Sequence, residues 1–163
     1  MSVEILMKIP GVDGEALTKG HEKEIELHSF SMGASNPSSV GAGTGSGAGK
    51  VDISSLSITK QVDLSSAKLF QQCCAGKHFA DATIVCREAG GDAPVEYWTI
   101  KLKEVYIDSV SWGASSGGGK PSESVSISFA QISFDYYSQD EKGAKKDKVS
   151  GGWNVKQNAA AAA

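Results

Sequence analysis

Residues 122–137, SESVSISFAQISFDYY, constrain the fold more than any other stretch of the chain. Ser124, Ser126 and Ser128 alternate with Val125, Ile127 and Phe129, the period-2 pattern of a strand with one dry face. After Phe129 the phase slips, and Ile132, Phe134 and Tyr136 carry the apolar set on even numbers. One inserted residue near Ala130 and Gln131 restores the facing, which predicts a β-bulge inside one long, bent strand. A strand this long, bent and half polar fits a curved antiparallel sheet, in a barrel or a sandwich.

The length of 163 residues fits one domain with a substantial core, over residues 1–158, followed by an alanine tail at 159–163 to which no role is assigned. A hydrophobic share of 40% and a net charge of −3 describe an ordinary soluble chain. There is no basic block or basic–aromatic stripe, so nucleic acid is not an expected partner. The N-terminus, MSVEILMKIPG, has neither a basic start nor a long apolar run. It reads as neither signal peptide nor membrane anchor, which predicts synthesis in the cytoplasm, no ordinary export tag and no membrane insertion. Three cysteines cannot all pair, and Cys73 and Cys74 are adjacent, which argues against a disulfide framework.

In chain order, Val3, Ile5, Met7 and Ile9 alternate into a first strand that stops at Pro10 and Gly11. Residues 10–20 are rich in turn formers and read as a surface loop. A second strand over residues 21–32 changes parity between Leu27 and Phe30, predicting a bulge near His28 and Ser29 that turns Ser31 away from the core. Residues 33–50, GASNPSSVGAGTGSGAGK, are almost wholly Gly, Ala, Ser and Thr. Ordering such a segment costs about 1–2 kcal/mol per residue in backbone entropy, with little side chain to bury in return. It becomes ordered only where another surface bonds its backbone. A strand at residues 51–62 leads into a short helix capped by Asp63 or Ser65, with Leu69, Phe70, Cys73 and Cys74 at helical spacing and Gly76 ending it. Strands at 82–88 and 95–110 and a turn at 115–121 lead to the stretch at 122–137. Residues 139–152 read as charged and flexible, with Gly152, Trp153 and Asn154 closing the domain.

Little of this carries chemistry. A phosphate-cradling loop of the form GxxxxGK[ST] fails twice, because Thr44 stands at the first glycine and Val51 at the hydroxyl. Gly43, Gly45 and Ala48 fit the loose dinucleotide pattern, but a strand follows where a helix N-terminus is required. No C-x-x-C pair sets zinc spacing among Cys73, Cys74, His78 and Cys86, and Cys73 and Cys74 read as small apolar residues on the buried helix face. No serine sits on a G-x-S-x-G elbow. The residues predict no enzyme and no cofactor. Long bulged strands with a long low-complexity loop predict instead an assembly protein whose open sheet edges are covered by copies of itself. The competing expectation is a monomeric secreted β-barrel that binds a small ligand or glycan through its loops.

Short fragments in fixed order carry a family resemblance. They include Met7, Lys8 and Ile9 with Gly14; His21 with Glu24 and Ile25; and Phe30, Ser31, Met32 and Gly33. The glycine-rich loop ends in Gly47, Ala48, Gly49 and Lys50, and residues 75–79 (AGKHF) follow the helix. Glu96 and Tyr97, residues 102–105 (LKEV), 109–111 (SVS) and 129–131 (FAQ), Asp135 with Tyr136, and residues 152–154 (GWN) complete the pattern. In these the chain resembles the haemolysin-coregulated protein (Hcp) family, the inner-tube component of type VI secretion systems.

The resemblance implies a mostly β fold, an antiparallel β-barrel of two sheets with one short flanking helix and a long protruding Gly-rich loop. It implies a homohexameric ring that stacks into a tube, with type VI effectors, a spike protein and a sheath as partners. Export then proceeds through the contractile machine without a signal peptide. Ser31 matches the family's lumen-facing position beside the cargo. Ala42, Gly43, Thr44, Gly45, Ser46, Gly47, Ala48 and Gly49 match the protruding ring-stacking loop, although Asn36, Pro37, Ser38 and Ser39 make it less purely glycine than the pattern expects. A toxin domain, found at the C-terminus of some members, is not implied, since the chain stops shortly after Asn154.

Overall fold

The computed structural model describes residues 2–37, 49–89 and 94–161. In chain order the elements are β1 (Ser2–Lys8), β2 (Ile25–Leu27), β3 (Ser29–Ser31), β4 (Ala34–Ser35), β5 (Asp52–Ile53) and β6 (Leu56–Gln61). They continue with α1 (Ser66–Ala75), β7 (His78–Ala89), β8 (Glu96–Gly113), β9 (Ser122–Gln139), β10 (Lys145–Asn154) and β11 (Ala159–Ala160). The fold is mostly β with one helix, as the alternating patterns require.

All strand pairings are antiparallel, and they wrap one core. β2 pairs with β1, β1 with β7, β7 with β8, and β8 with β9. The first half of β9 pairs with β6, and β6 with β3. β2 and β3 are halves of one segment broken at His28, whose N–H bonds Thr59 O at 2.8 Å. The wall therefore returns to its start through residues 25–31, a barrel-like course with its seam at His28. The parity change at residues 28–29 marks this hand-over from β1 to β6. Inside lie Met7, Ile25, Leu56, Ile58, Ile84, Ile100, Leu102, Val105, Val125 and Ile127, with Leu69 from the helix. Burying each such side chain stabilises the fold by about 1.5–3 kcal/mol.

The phase slip in β9 has a different origin from the expected bulge. Lys103 pairs with Gln131 and Val105 with Phe129, so the register is unchanged across Ala130 and no residue is inserted there. β8 changes phase at the same level, with Leu102 and Val105 both buried and Glu104 between them at φ 53°. The two strands re-face together. They do so where β9 exchanges its other neighbour, from β6 up to Ile127 to β10 from Gln131 onwards. The register shift lies between Ile107 and Ser109, which makes Asp108 the extra residue.

Four further expectations are corrected. Val12, Gly14 and Ala16 are buried rather than in a surface loop, held by bonds from Gly14 N–H to Lys23 O (2.7 Å) and from Ala16 N–H to Glu24 O (3.0 Å). The charged stretch after residue 144 is β10, an ordered strand on β9. Ala159 and Ala160 are not a free tail, for they pair with Asn154 and Trp153, and Ala161 N–H bonds Gly152 O. In α1 only Ser66 and Leu69 are buried, while Phe70 and Cys74 are exposed and Cys73 is half-buried. Phe70 packs instead on Trp112, with ring centroids 5.6 Å apart. The helix ends as expected, at Gly76 with φ 63°.

Candidate assembly surface

Ser31, at the end of β3, is exposed. It faces Ser57 on β6, Ser57 faces Ser126 on β9, and Ser126 faces Ser109 on β8. One step of two residues along the sheet, Ser29, Thr59, Ser124 and Ser111 form a second row in the same register. Side chains directly opposite in register share a face, so these eight hydroxyls form one surface four strands wide, roughly 14 Å at about 4.8 Å per strand. None of the eight is buried, and Ser29 Oγ and Thr59 Oγ1 are 2.5 Å apart. The opposite face of the same strands buries Leu56, Ile58, Val125 and Ile127. Sequence alone singled out Ser31; the other seven needed the register, although alternating hydroxyls were their signal.

The glycine-rich loop begins two residues beyond Ser31. Gly33 and Ser54 tie its base, through Ser54 N–H to Gly33 O (2.9 Å) and Gly33 N–H to Ser54 Oγ (2.8 Å). β4 and β5 then form a two-stranded stem, with Ala34 opposite Ile53 and Ser35 opposite Asp52. Gly49 N–H bonds Pro37 O at 3.3 Å, and a Cβ on Gly49 would lie 2.7 Å from that oxygen. Of the expected stacking residues, Gly49 is thus at the neck, while Ala42, Gly43, Thr44, Gly45, Ser46, Gly47 and Ala48 lie outside the described residues.

Two grooves flank this surface. One of about 540 Å³ runs beside the stem, lined by Met32, Ile53, Trp98, Phe134 and Trp153 among others. The other, of about 500 Å³, lies between α1 and the β8–β9 turn. The remaining polar clusters are structural in form. His21 bridges Glu24 (3.0 Å) and Glu96 (2.5 Å); burial disfavours its charge, but the two carboxylates outweigh this and raise its pKa above the ordinary histidine value. Cys86 is buried, which pushes its thiol up. Among the described residues, no three His, Cys, Asp or Glu side chains are grouped to hold a metal ion.

Comparison with known proteins gives a consistent result. The profile of the family described as "Type VI secretion system effector, Hcp" matches residues 6–136. The protein hcp1 of Pseudomonas aeruginosa is 43% identical over 159 residues, covering 97% of this chain and 98% of that one. A structure titled as that of a type six secretion system protein superposes with a TM-score of 0.91 at 28% identity, covering 98% of this chain and all of the other (100%). The crystal structure of Hcp1 from Salmonella typhimurium gives 0.81 at 30% identity, over 99% and 100% of the two chains.

Proposed function

The chain belongs to the Hcp family, the tube proteins of type VI secretion, and from that premise we propose that it forms hexameric rings that stack into a secreted tube. The rings carry small effectors in their lumen and meet the spike and the sheath of the machine. One observation carries this reading: the likeness to a single relative, at 43% identity, spans 97% of this chain and 98% of the relative.

The hydroxyl face supports a lumen around Ser31. It is uncharged, wet and built on four rigid strands. Each hydroxyl bond that it offers a passing cargo is worth a net of about 0.5–1.5 kcal/mol, enough to hold a small protein in sum and weak enough individually to release it. The lateral contacts of the ring come from the strand and barrel faces. The axial contacts come from the glycine-rich loop and are weakened by the entropy of ordering it. Light scattering with negative-stain imaging tests the assembly. Annular particles of six-subunit mass are expected, and a single-subunit mass at every concentration would overturn it in favour of a monomeric ligand-binding barrel. Recovery of the protein from culture medium only when the contractile machine is intact tests the export.

A further inference from the structure

The hydroxyl face ends in a charge. One step beyond Ser57 and Ser126 stand Ser55, just before β6, and Ser128 on β9, next in the same alternation. Both hydroxyls donate to one carboxylate, Ser128 Oγ to Asp108 Oδ1 at 2.8 Å and Ser55 Oγ to Asp108 Oδ2 at 3.3 Å. Asp108 is the extra residue of the β8 bulge, between Ile107 opposite Ile127 and Ser109 opposite Ser126. A change of phase alone asks nothing of the side chain at such a site, and bulges next to functional surfaces re-aim one. Here the re-aimed group is an acid. Cys73 Sγ of α1 reaches Asp108 O at 3.7 Å, so the bulge is held from the helix as well as from the sheet. Asp108 is exposed, and among the described residues it makes no ion pair.

We infer that Asp108 selects what this face takes, and that the partner it fits is a small protein presenting a cluster of lysine or arginine side chains. The inference rests on the cargo-surface reading of the Ser31 face and names the chemistry of its cargo. The two serine donors each occupy one lone pair of the carboxylate, which fixes the group and leaves its outer lone pairs for a cation. A charge-assisted bond is about twice as strong as a neutral one. One fixed carboxylate beside a field of hydroxyls therefore sets the choice and orientation of a partner, while each hydroxyl contributes little. An acidic partner brought against Asp108 meets a like charge and is turned away. In a symmetric ring the carboxylate recurs at one level in every subunit, so selection holds for any orientation of cargo about the axis.

The test uses rings of the full chain and, as probe, cytochrome c, a small protein rich in surface lysine, beside the same protein with its lysines acetylated. Retention on immobilised rings at low salt is read from haem absorbance. The parent is expected to hold the lysine form about tenfold better than the acetylated one, the worth of one bond to a charged group. Asp108→Asn, which keeps an acceptor oxygen for one serine, is expected to remove most of that preference at an unchanged melting temperature, and Asp108→Lys to exclude the lysine form. Asp147→Asn, an exposed change on β10 away from the hydroxyl face, takes the same charge from the chain and is expected to leave the preference whole. A parent without preference, a preference that survives Asp108→Asn, or one lost equally in Asp147→Asn overturns selection by Asp108. In those cases the cargo surface stands if Ser31→Gln lowers retention of both forms. Retention of neither form by the parent, or no loss with Ser31→Gln, overturns the cargo surface itself and the selection with it.

Discussion

Lys60 Nζ lies 2.6 Å from Glu123 Oε2, and both side chains are wholly buried. Asp63 accepts a second bond from the ammonium at 2.8 Å, and Ser66 Oγ donates to Glu123 at 2.6 Å. Lys60 also reaches the backbone oxygen of Gln61 at 3.2 Å. The cluster joins the end of β6, the start of β9 and the first turn of α1. It therefore sets the helix against the sheet and, through the helix, shapes the Phe70–Trp112 groove.

Removing one member of a buried ion pair strands the other without water. Lys60→Met is expected to destabilise the fold by about 3–5 kcal/mol. Replacing both partners, Lys60→Met with Glu123→Leu, is expected to recover most of that loss, because the stranded charge goes as well. Urea denaturation of the single and double variants measures both. A single variant within about 1 kcal/mol of the parent would show that the pair carries no such burden.

His21 gives the fold a pH dependence of known sign. Both ring nitrogens are bonded to carboxylates, Glu24 and Glu96, and only the imidazolium donates from both. Its folded pKa lies above the ordinary value near 6.5. The stabilisation is therefore complete below that value and is lost as pH rises through the raised pKa. The bridge anchors residues 21–24 to the start of β8, so urea midpoints are expected to fall as pH rises above the ordinary histidine value and through the raised one, by an amount that His21→Gln removes. An equal fall in His21→Gln would place the dependence elsewhere.

Gly14 tolerates no side chain. A Cβ there would lie 2.4 Å from Glu24 O and 2.7 Å from Ile25 Cα, both backbone atoms that cannot swing aside. Gly14→Ala is expected to cost about 1–3 kcal/mol, the usual range for overpacking, and to loosen the bonds between residues 14–16 and 23–24. Thermal unfolding and amide exchange at Gly14 and Ala16 read the two effects. A variant as stable as the parent, with unchanged exchange, would refute the close approach.

The strands were legible where a period of two is a property of one chain segment, as in Val125 and Ile127 or Leu56 and Ile58. The end of α1 was legible from Gly76. What escaped depends on pairing. The phase slip after Phe129 is shared with β8 across the ladder, and one strand read alone turns a joint re-facing into an insertion. The lysines of β10 look like a solvated linker, since its strand form is imposed by β9. The burial of Lys60 has no signal in its own segment, because its partner Glu123 is far off in the sequence and meets it only across the β6–β9 register. The hydroxyl face was written in four separate segments, and only their register joins Ser31 to Ser57, Ser126 and Ser109.

Ser31 separates cargo binding from folding. Its side chain is exposed and no buried group depends on it, so Ser31→Gln is expected to leave the melting temperature within about 2 °C, as for surface substitutions that change stability by less than 0.5 kcal/mol. Co-purification of small effectors is expected to fall several-fold, because a longer side chain interrupts the hydroxyl row. The same change at Lys146, an exposed position on β10, serves as the control and leaves effector recovery unaltered. Equal recovery with Ser31→Gln would remove Ser31 from the cargo surface.

Deleting residues 42–49 tests the division between lateral and axial contacts. The stem strands β4 and β5 and the Gly33–Ser54 bonds lie outside the deletion, so the barrel and the exposed strand faces keep their supports. The segment is small and uncharged, and its ordering costs about 1–2 kcal/mol per residue, so the contact it makes is one that conditions can reverse. Rings of six shortened subunits are expected, with no tubes by negative stain and no export into the medium. Rings that dissolve on deletion would mean that the loop holds neighbours within a ring, because the lateral surface would then have required it. Tubes that persist would mean that the loop is dispensable axially, and the contact between rings would have to come from the barrel ends alone.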